Sequence, residues 1–278
     1  MKLLIVTTRN DKSWRRISEE ALKKNLSVST LFYEDLRLHE LNEEMFKEFD
    51  FCILRDPYNT GKDFSIFLRT IMSFFPKRHV LDYQTYKHHP FYEDKLFQHI
   101  LFSKYVKMPM FRYFTKIDQI DITLPAIVKK RISSRGKEIY LLDSAKEVEE
   151  FARERNLSDY FFEEYMNVKK DIRIIVINGN VIGAVERRRR IKISGNYRSI
   201  GVKVVKGYNP QEEMIEKAIL VSRIIKSDFC GIDFAIDEKK RLYLLECNIS
   251  PQFVSFERIL NLNVAEKLID FILTLHHQ

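Results

Sequence analysis

The chain is poor in cysteine and glycine and has no long apolar run. Its three cysteines, Cys52, Cys230 and Cys247, stand far apart with no Cys-x-x-Cys spacing. That pattern argues against a disulfide framework and a zinc site, and makes a reducing cytoplasm the expected compartment. Eight glycines in 278 residues leave room only for short glycine turns. No Gly-x-Gly-x-x-Gly follows the first apolar run, so a dinucleotide-binding turn is not supported. No stretch reaches the roughly 20 apolar residues that a membrane-spanning helix needs, which excludes a membrane partner of that kind. The opening MKLLIVTTRNDKSW is too briefly apolar for a signal peptide and reads as a first buried strand. Neither an internal repeat nor a low-complexity linker is visible.

Core-forming material is plentiful. The 21 Phe and 13 Tyr, with 45% hydrophobic and 31% charged residues, describe a folded globular chain and exclude disorder. The length allows one large domain or two to three smaller lobes around a cleft. A formal charge of +8 favours acidic partners such as a nucleotide, an acidic peptide or nucleic acid.

Hydrophobic periodicity predicts strands over 2–7, 27–33, 51–54 and 80–82, alternating with helices over 13–24 and 64–75. This is the pattern of a small parallel-sheet α/β lobe over 1–85. A helix is predicted over 93–105, terminated by Pro109. Strands follow over 126–130, 138–142, 160–165, 171–177 and 181–186, the last two joined by a tight turn at Asn178-Gly179-Asn180. Ser144, with Glu147 three positions on, marks the start of a helix over 144–155. Further helices are predicted over 212–225 and 264–275. The mixture after residue 86 reads as α+β in two lobes, 86–162 and 163–278.

The most informative segment is GIDFAIDEKKRLYLLECNISPQF. It reads as two strands, 231–237 and 242–247, with a four-residue loop. That loop sets Asp237 opposite Leu242 and, counting back, Asp233 opposite Glu246. Asn248 then shares the Glu246 face by the strand period of two, together with Leu242, Leu244 and Ala235. Two carboxylates facing each other repel. Partly desolvated, they need a partner, and a hard divalent cation with oxygen ligands, Mg²⁺ or Mn²⁺, is a natural one. The alternative is a solvated acidic face with no ion.

Other segments suit a nucleotide. Lys129 ends an apolar strand and leads into Ser133-Ser134-Arg135-Gly136-Lys137, a turn whose hydroxyls, backbone N–H groups and cations can wrap phosphate. A solvated β-turn is the simpler reading, as a solvated helix lysine is for Lys95. The strand ending Glu163-Glu164-Tyr165-Met166 must bend, so its backbone can meet an adenine edge with Met166 or Phe162 packed on the base. Asp171 and Arg173 share a face, where an acid can hold ribose hydroxyls and an arginine can grip a carboxylate or acyl phosphate; a plain ion pair is the alternative. In the basic run Arg187–Arg190, alternate arginines face opposite ways. No aromatic residue interleaves there to stack bases, which argues against nucleic acid.

These pieces occur in a particular order. From EDKLFQHILFSKYVKMP through PAIVKKRISSRGKEIYLL, FFEEYMNVKKDIRIIVINGNVIGAVERR and GNYRS to GIDFAI and LLECNISP, the chain resembles the ATP-grasp carboxylate–amine ligases. Within them it is similar to the ribosomal-protein glutamate ligases, glutathione-synthetase-like enzymes and graspetide (microviridin-type) peptide ligases. The resemblance implies two α+β lobes gripping ATP, preceded by a small parallel-sheet domain. It implies that Lys95 and Lys129 bind ATP phosphates, with Ser134 and Gly136 in the phosphate loop. Glu163, Glu164, Tyr165 and Met166 would hold adenine, and Asp171 the ribose. Arg198 and Ser199 would sit by the phosphates, Arg173 and Arg187 would stabilise an acyl phosphate or orient the substrate carboxylate, and Asp233, Glu246 and Asn248 would ligate the metal. The implied partners are ATP and an amino acid, peptide or protein that brings a carboxylate and an amine. Peptide macrocyclisation and nucleotide binding without turnover are the alternatives. Two departures bear on substrate. The glutamate ligases carry Arg-Ser-Asn where Ile200 follows Ser199 here, and Ser-Pro-Gly where Gln252 follows Pro251. Glu138 also stands where many relatives have a second loop glycine.

Overall fold

Strands that must be buried on both faces read as unbroken apolar runs. Two of this kind, β1 (Lys2–Thr7) and β3 (Phe51–Leu54), flank one another with β2 (Ser27–Phe32) outside, in a parallel sheet ordered β2-β1-β3. The computed structural model describes residues 1–56, 64–133, 138–194 and 197–276, so Ser134 and Gly136 of the expected phosphate loop lie outside the described residues. Helices α1 (Trp14–Lys23) and α2 (Phe64–Ser73) accompany the sheet. The strand expected at 80–82 does not form. Val80 makes a single parallel bridge to Cys52, and the chain turns at Asp82 (φ 60°) into α3 (Tyr83–His88). The cause is the Asp82 carboxylate, which accepts from the Ser227 hydroxyl and the Asp228 N–H, both at 2.7 Å, and draws the chain away from the sheet.

The remaining strands build one antiparallel sheet. They are β4 (Phe111–Arg112), β5 (Ala126–Lys130), β6 (Ile139–Leu142), β7 (Tyr160–Glu164), β8 (Val168–Ile177), β9 (Asn180–Ser194), β10 (Tyr197–Tyr208), β11 (Phe229–Asp237) and β12 (Leu242–Ile249). The order is β12-β11-β8-β9-β10-β6-β5-β7-β4, and the chain passes from one half of this nine-stranded sheet to the other between Glu164 and Val168. Five more helices complete the chain: α4 (Lys95–Phe102), α5 (Ala145–Glu154), α6 (Glu212–Ile224), α7 (Val254–Leu260) and α8 (Val264–His276). Asn178 and Gly179, with φ of 48° and 69°, make the tight β8–β9 turn.

Local signals explain several boundaries. Asp94 accepts from the Leu96 N–H at 2.9 Å, so α4 starts at Lys95. It stops at Phe102, well before Pro109. Ser144 accepts from the Glu147 N–H at 3.2 Å, while the Glu147 carboxylate takes the Asp143 N–H at 2.6 Å. Strand β10 and the length of β9 were not expected. Their residues are largely half-exposed and carry charges on both faces, so pairing rests on the backbone ladder without a clear apolar alternation.

Two apolar cores are shared between the sheets. Leu4, Val6 and Leu54 pack with Ile172, Ile174, Phe234 and Leu244. Leu3, Ile5 and Phe51 pack with Ile175, Phe229 and, from α8, Leu268 and Ile272. A third core, Val128, Tyr140, Phe151 and Phe162, is built by β5, β6 and β7 with α5 packed on them.

A buried ion pair ties the first sheet to the end of β12. Arg55 is 0% exposed. Its Nε donates to Asp11 Oδ2 at 2.6 Å, and its Nη2 donates to the carbonyls of Ser250 and Pro251 at 3.3 and 3.1 Å. Gln252 Nε2 donates to Asp11 Oδ1 at 2.6 Å. Burial pushes the Asp11 carboxyl up, but Arg55 and the Ser13 N–H outweigh it and hold the pKa at about 2, below the ordinary 3.8.

Removing one member of a buried pair leaves an uncompensated charge, so Arg55→Met should lower unfolding stability by about 3–5 kcal/mol in urea titration. The Asp11 contribution is present above its ordinary value of 3.8 and disappears as pH falls through about 2. Asp11→Asn should therefore flatten the acid limb of stability against pH. At Gly231 a Cβ would lie 2.8 Å from Pro251 Cβ. Gly231→Ala should cost roughly 1–3 kcal/mol in the same titration, as overpacking does.

Candidate active site

Three neighbouring strands carry the charges. In register, Asp171 on β8 faces Arg187 on β9, and Asp233 on β11 faces Arg173 on β8. Period-two alternation puts Asp171 with Arg173, and Arg187 with Arg189, on one face. All four line a cavity of about 600 Å³, with Asp233, Glu246 and Asn248 beside them.

Asp233 does face Glu246, though not by way of the expected loop. The ladder starts one residue earlier, at Ile236 opposite Leu242, with 237–241 forming the turn. A bulge at Leu245 restores the register before the carboxylates. The bulge also changes faces. Leu244 packs in the core with Phe234, and Leu242 packs against it, while Leu245 joins Glu246 on the cavity wall. The expected sharing of a face by Leu242, Leu244 and Glu246 is thus corrected.

Arg173 grips Asp233 with two bonds of 2.7 Å. Arg187 donates to Asp233 at 2.8 Å and to Asp171 at 2.7 Å, and Arg189 reaches the other Asp171 oxygen at 2.9 Å. Burial raises the Asp233 pKa, yet Arg173 and Arg187 bring it down to about 2. Burial likewise opposes charge on Arg187, and Asp233 and Asp171 more than compensate, lifting its pKa. Asp233 is therefore a carboxylate, and Arg187 a cation, at neutral pH.

Asn248 Nδ2 lies 3.1 Å from Glu246 Oε1 and 3.5 Å from Asp233 Oδ2, which groups the three side-chain heads, while both Asp233 oxygens also accept from Arg173. Among the described residues no three His, Cys, Asp or Glu side chains gather as a metal cage. Two carboxylates and an amide whose oxygen can be turned inward fit Mg²⁺ or Mn²⁺, which take the rest of their ligands from water and phosphate.

Two lysines approach, Lys129 from β5 in the other half of the sheet and Lys95 from the start of α4. Lys95 Nζ donates to the Ser133 carbonyl at 2.7 Å and stands 4.0 Å from Glu246. Lys129 Nζ donates to Glu163 Oε1 at 2.6 Å. Burial raises the Glu163 pKa, but Lys129 and His99 bring it to about 2. Glu164, Tyr165 and Met166 line the cavity, walled there by Ile127, Ile139, Ile200 and Val202, a slot suited to a flat base. The Glu164 N–H donates to the Met110 carbonyl at 2.9 Å, and Glu164 Oε1 accepts the Met110 N–H at 3.1 Å, so the side chain takes a ladder bond that the Glu164 carbonyl would otherwise accept. Phe162 is not at the slot. It packs edge-on against Phe114 in the third core.

Arg198 and Ser199 are not brought into the cavity. Arg198 shares the face of Ile200 and Val202 but sits at the start of β10, paired with Asp143. Ser199 falls on the opposite face and donates to the Lys192 carbonyl at 3.3 Å. Both oxygens of Asp171, expected at a ribose, are held by Arg187 and Arg189. Residues beyond those expected also contribute. Asn10, Lys12 and Asp56 bring the carboxyl ends of β1 and β3 to the cavity, and Gln252 joins them from beyond β12. His99 was legible only as the residue four positions after Lys95 on one helical face.

Comparison with known proteins agrees with this architecture. A RimK-like ATP-grasp domain matches residues 104–272. N-acetylaspartylglutamate synthase A of Homo sapiens is 30% identical over 157 residues, 54% of this chain and 39% of that protein. Coenzyme gamma-F420-2:alpha-L-glutamate ligase of Methanocaldococcus jannaschii is 24% identical over 157 residues, 55% of this chain and 53% of that protein. The chain thus spans about half or less of these relatives' length. A solved structure of the ATP-grasp ligase PsnB with a minimal precursor superposes with a TM-score of 0.71 at 15% identity, over 98% of this chain and 99% of that one, a likeness of fold. The chain belongs to the RimK-like ATP-grasp domain family.

Proposed function

We propose that the chain is an ATP-dependent carboxylate–amine ligase that joins an amine to an amino acid, peptide or protein carboxylate through an acyl phosphate, releasing ADP and phosphate. The observation that carries this reading is the grouping of Arg173, Arg187, Asp233, Glu246 and Asn248 on one cavity wall, with Lys129 on the same cavity and Lys95 within reach of Glu246. The coarse class also draws support from the relatives, whose names denote a synthase and a ligase of glutamate compounds.

Asp233, Glu246 and Asn248 would hold Mg²⁺; a solved structure of PsnB contains precursor, Mg and ADP together. Bound there, the ion neutralises phosphate oxygens during transfer. Lys95 and Lys129 bring positive charge to the phosphates. Met166 and the isoleucine walls fix the base. Arg173 and Arg187, locked by Asp233 and Asp171, present fixed donors to the substrate carboxylate and to the charge that develops on the transferring group. No side-chain nucleophile is needed, and most of the rate enhancement comes from positioning and charge. Arg188 and Arg190 alternate with Arg187 and Arg189 and face away from the cavity, so the basic run is divided between site and surface. No helix among the described residues is long and apolar enough to cross a membrane.

The test is release of ADP from ATP in the presence of Mg²⁺ and a panel of acids and amines that includes glutamate, followed by product mass. Turnover should need the metal and both organic partners. Asp233→Asn and Glu246→Gln should each lower kcat by about 100-fold or more, the scale seen when a transition-state charge contact is removed. Full turnover in either variant refutes the reading.

A further inference from the structure

Lys129 is not held by the nucleotide pocket alone. Its ammonium shares a single oxygen, Glu163 Oε1, with the ring of His99. The two distances are 2.6 Å from Lys129 Nζ and 2.7 Å from His99 Nε2. Glu163 and His99 are buried, at 4% and 0% exposure, and Lys129 reaches the pair from the cavity wall. The His99 ring is fixed between Phe111 and Phe161, with centroids 5.0 and 5.2 Å away. Its Nδ1 has no hydrogen-bond partner among the described atoms. The ring therefore engages the site through Nε2 only, which as the N–H tautomer donates to Glu163.

We propose that His99 and Glu163 are positioning residues that set the reach of Lys129 toward the ATP phosphates. The inference rests on the reading of this cavity as an ATP site. A buried carboxylate with one cationic partner holds that partner tightly, because releasing it strands the anion. A second donor on the same oxygen removes that penalty. When phosphate enters, Lys129 can turn part of its charge to the ligand while His99 keeps Glu163 satisfied. Without His99, Glu163 competes with phosphate for the only cation it has. Without Glu163, Lys129 keeps its charge but loses its aim. A lysine–glutamate pair governing a phosphate lysine is a known device in protein kinases. Here the histidine adds a third member, from a helix whose first residue is Lys95, one turn away.

The test compares Mg·ATP with adenosine as titrants in calorimetry on the full chain. His99→Phe keeps an aromatic ring between Phe111 and Phe161 but removes the donor. It should weaken Mg·ATP binding about tenfold while leaving adenosine affinity within about twofold, since only the phosphates meet Lys129. His99→Gln, whose amide can donate in place of Nε2, should recover most of the loss. Lys129→Met should weaken Mg·ATP binding too, and adding His99→Phe to it should cost little more, as expected of residues acting through one group. Equal weakening of Mg·ATP and adenosine in His99→Phe overturns the inference, since that is what a packing defect produces. Unchanged Mg·ATP affinity overturns it as well. A wild-type chain that binds no Mg·ATP defeats the ATP-site reading itself, and this inference falls with it. Wild-type binding with an indifferent His99 defeats the inference alone.

Discussion

The structure turns on one buried arginine. Arg187 crosses three adjacent strands, taking Asp171 on β8 and Asp233 on β11 with the same guanidinium. Ions buried without partners cost several kcal/mol each, so strands that bury Asp171, Arg187 and Asp233 must keep them matched. A slip of one residue in the β8–β9 or β8–β11 ladder would turn the arginines into the apolar core and the isoleucines toward the cavity. The need for matched charge thus fixes the register, and the same register leaves a row of oriented cations and anions on a single wall. Fold and candidate chemistry depend on the same contacts.

That dependence reaches the first sheet. The Ser250 and Pro251 carbonyls, just past Asn248, are held by Arg55, and Arg55 is held by Asp11. Ser250 has a φ of 56°, a conformation that needs support from its surroundings in a residue with a Cβ. The support comes from a lobe that is distant in sequence but shares two apolar cores with the strands behind the cavity. The N-terminal strands therefore belong to the site's frame as well as to its rim.

Much of this was legible in the sequence, for identifiable reasons. Strands β1 and β3 declare themselves because burial on both faces leaves no room for polar residues. Asp171 with Arg173, and Arg187 with Arg189, follow from the strand period alone. What escaped reading was set by tertiary context. Strand β10 has charge on both faces and is held by its ladder with β9. The pairing of Asp233 with Glu246 was reached through a loop register that the molecule does not use, and the Leu245 bulge makes up the difference. Arg198 follows the family order, yet the strand start places it against Asp143. His99 and Arg55 carry no motif; their roles come from burial and from partners far along the chain.

The extra residue at Leu245 separates the length of the β11–β12 turn from the phase of the strand beyond it. Residues on the turn side alternate in one phase and those on the site side in the other. A chain lacking Leu245 would run β12 without interruption, Leu244 opposite Phe234 and Glu246 opposite Asp233, so the extra residue adds a second side chain to the cavity wall without setting the direction of Glu246.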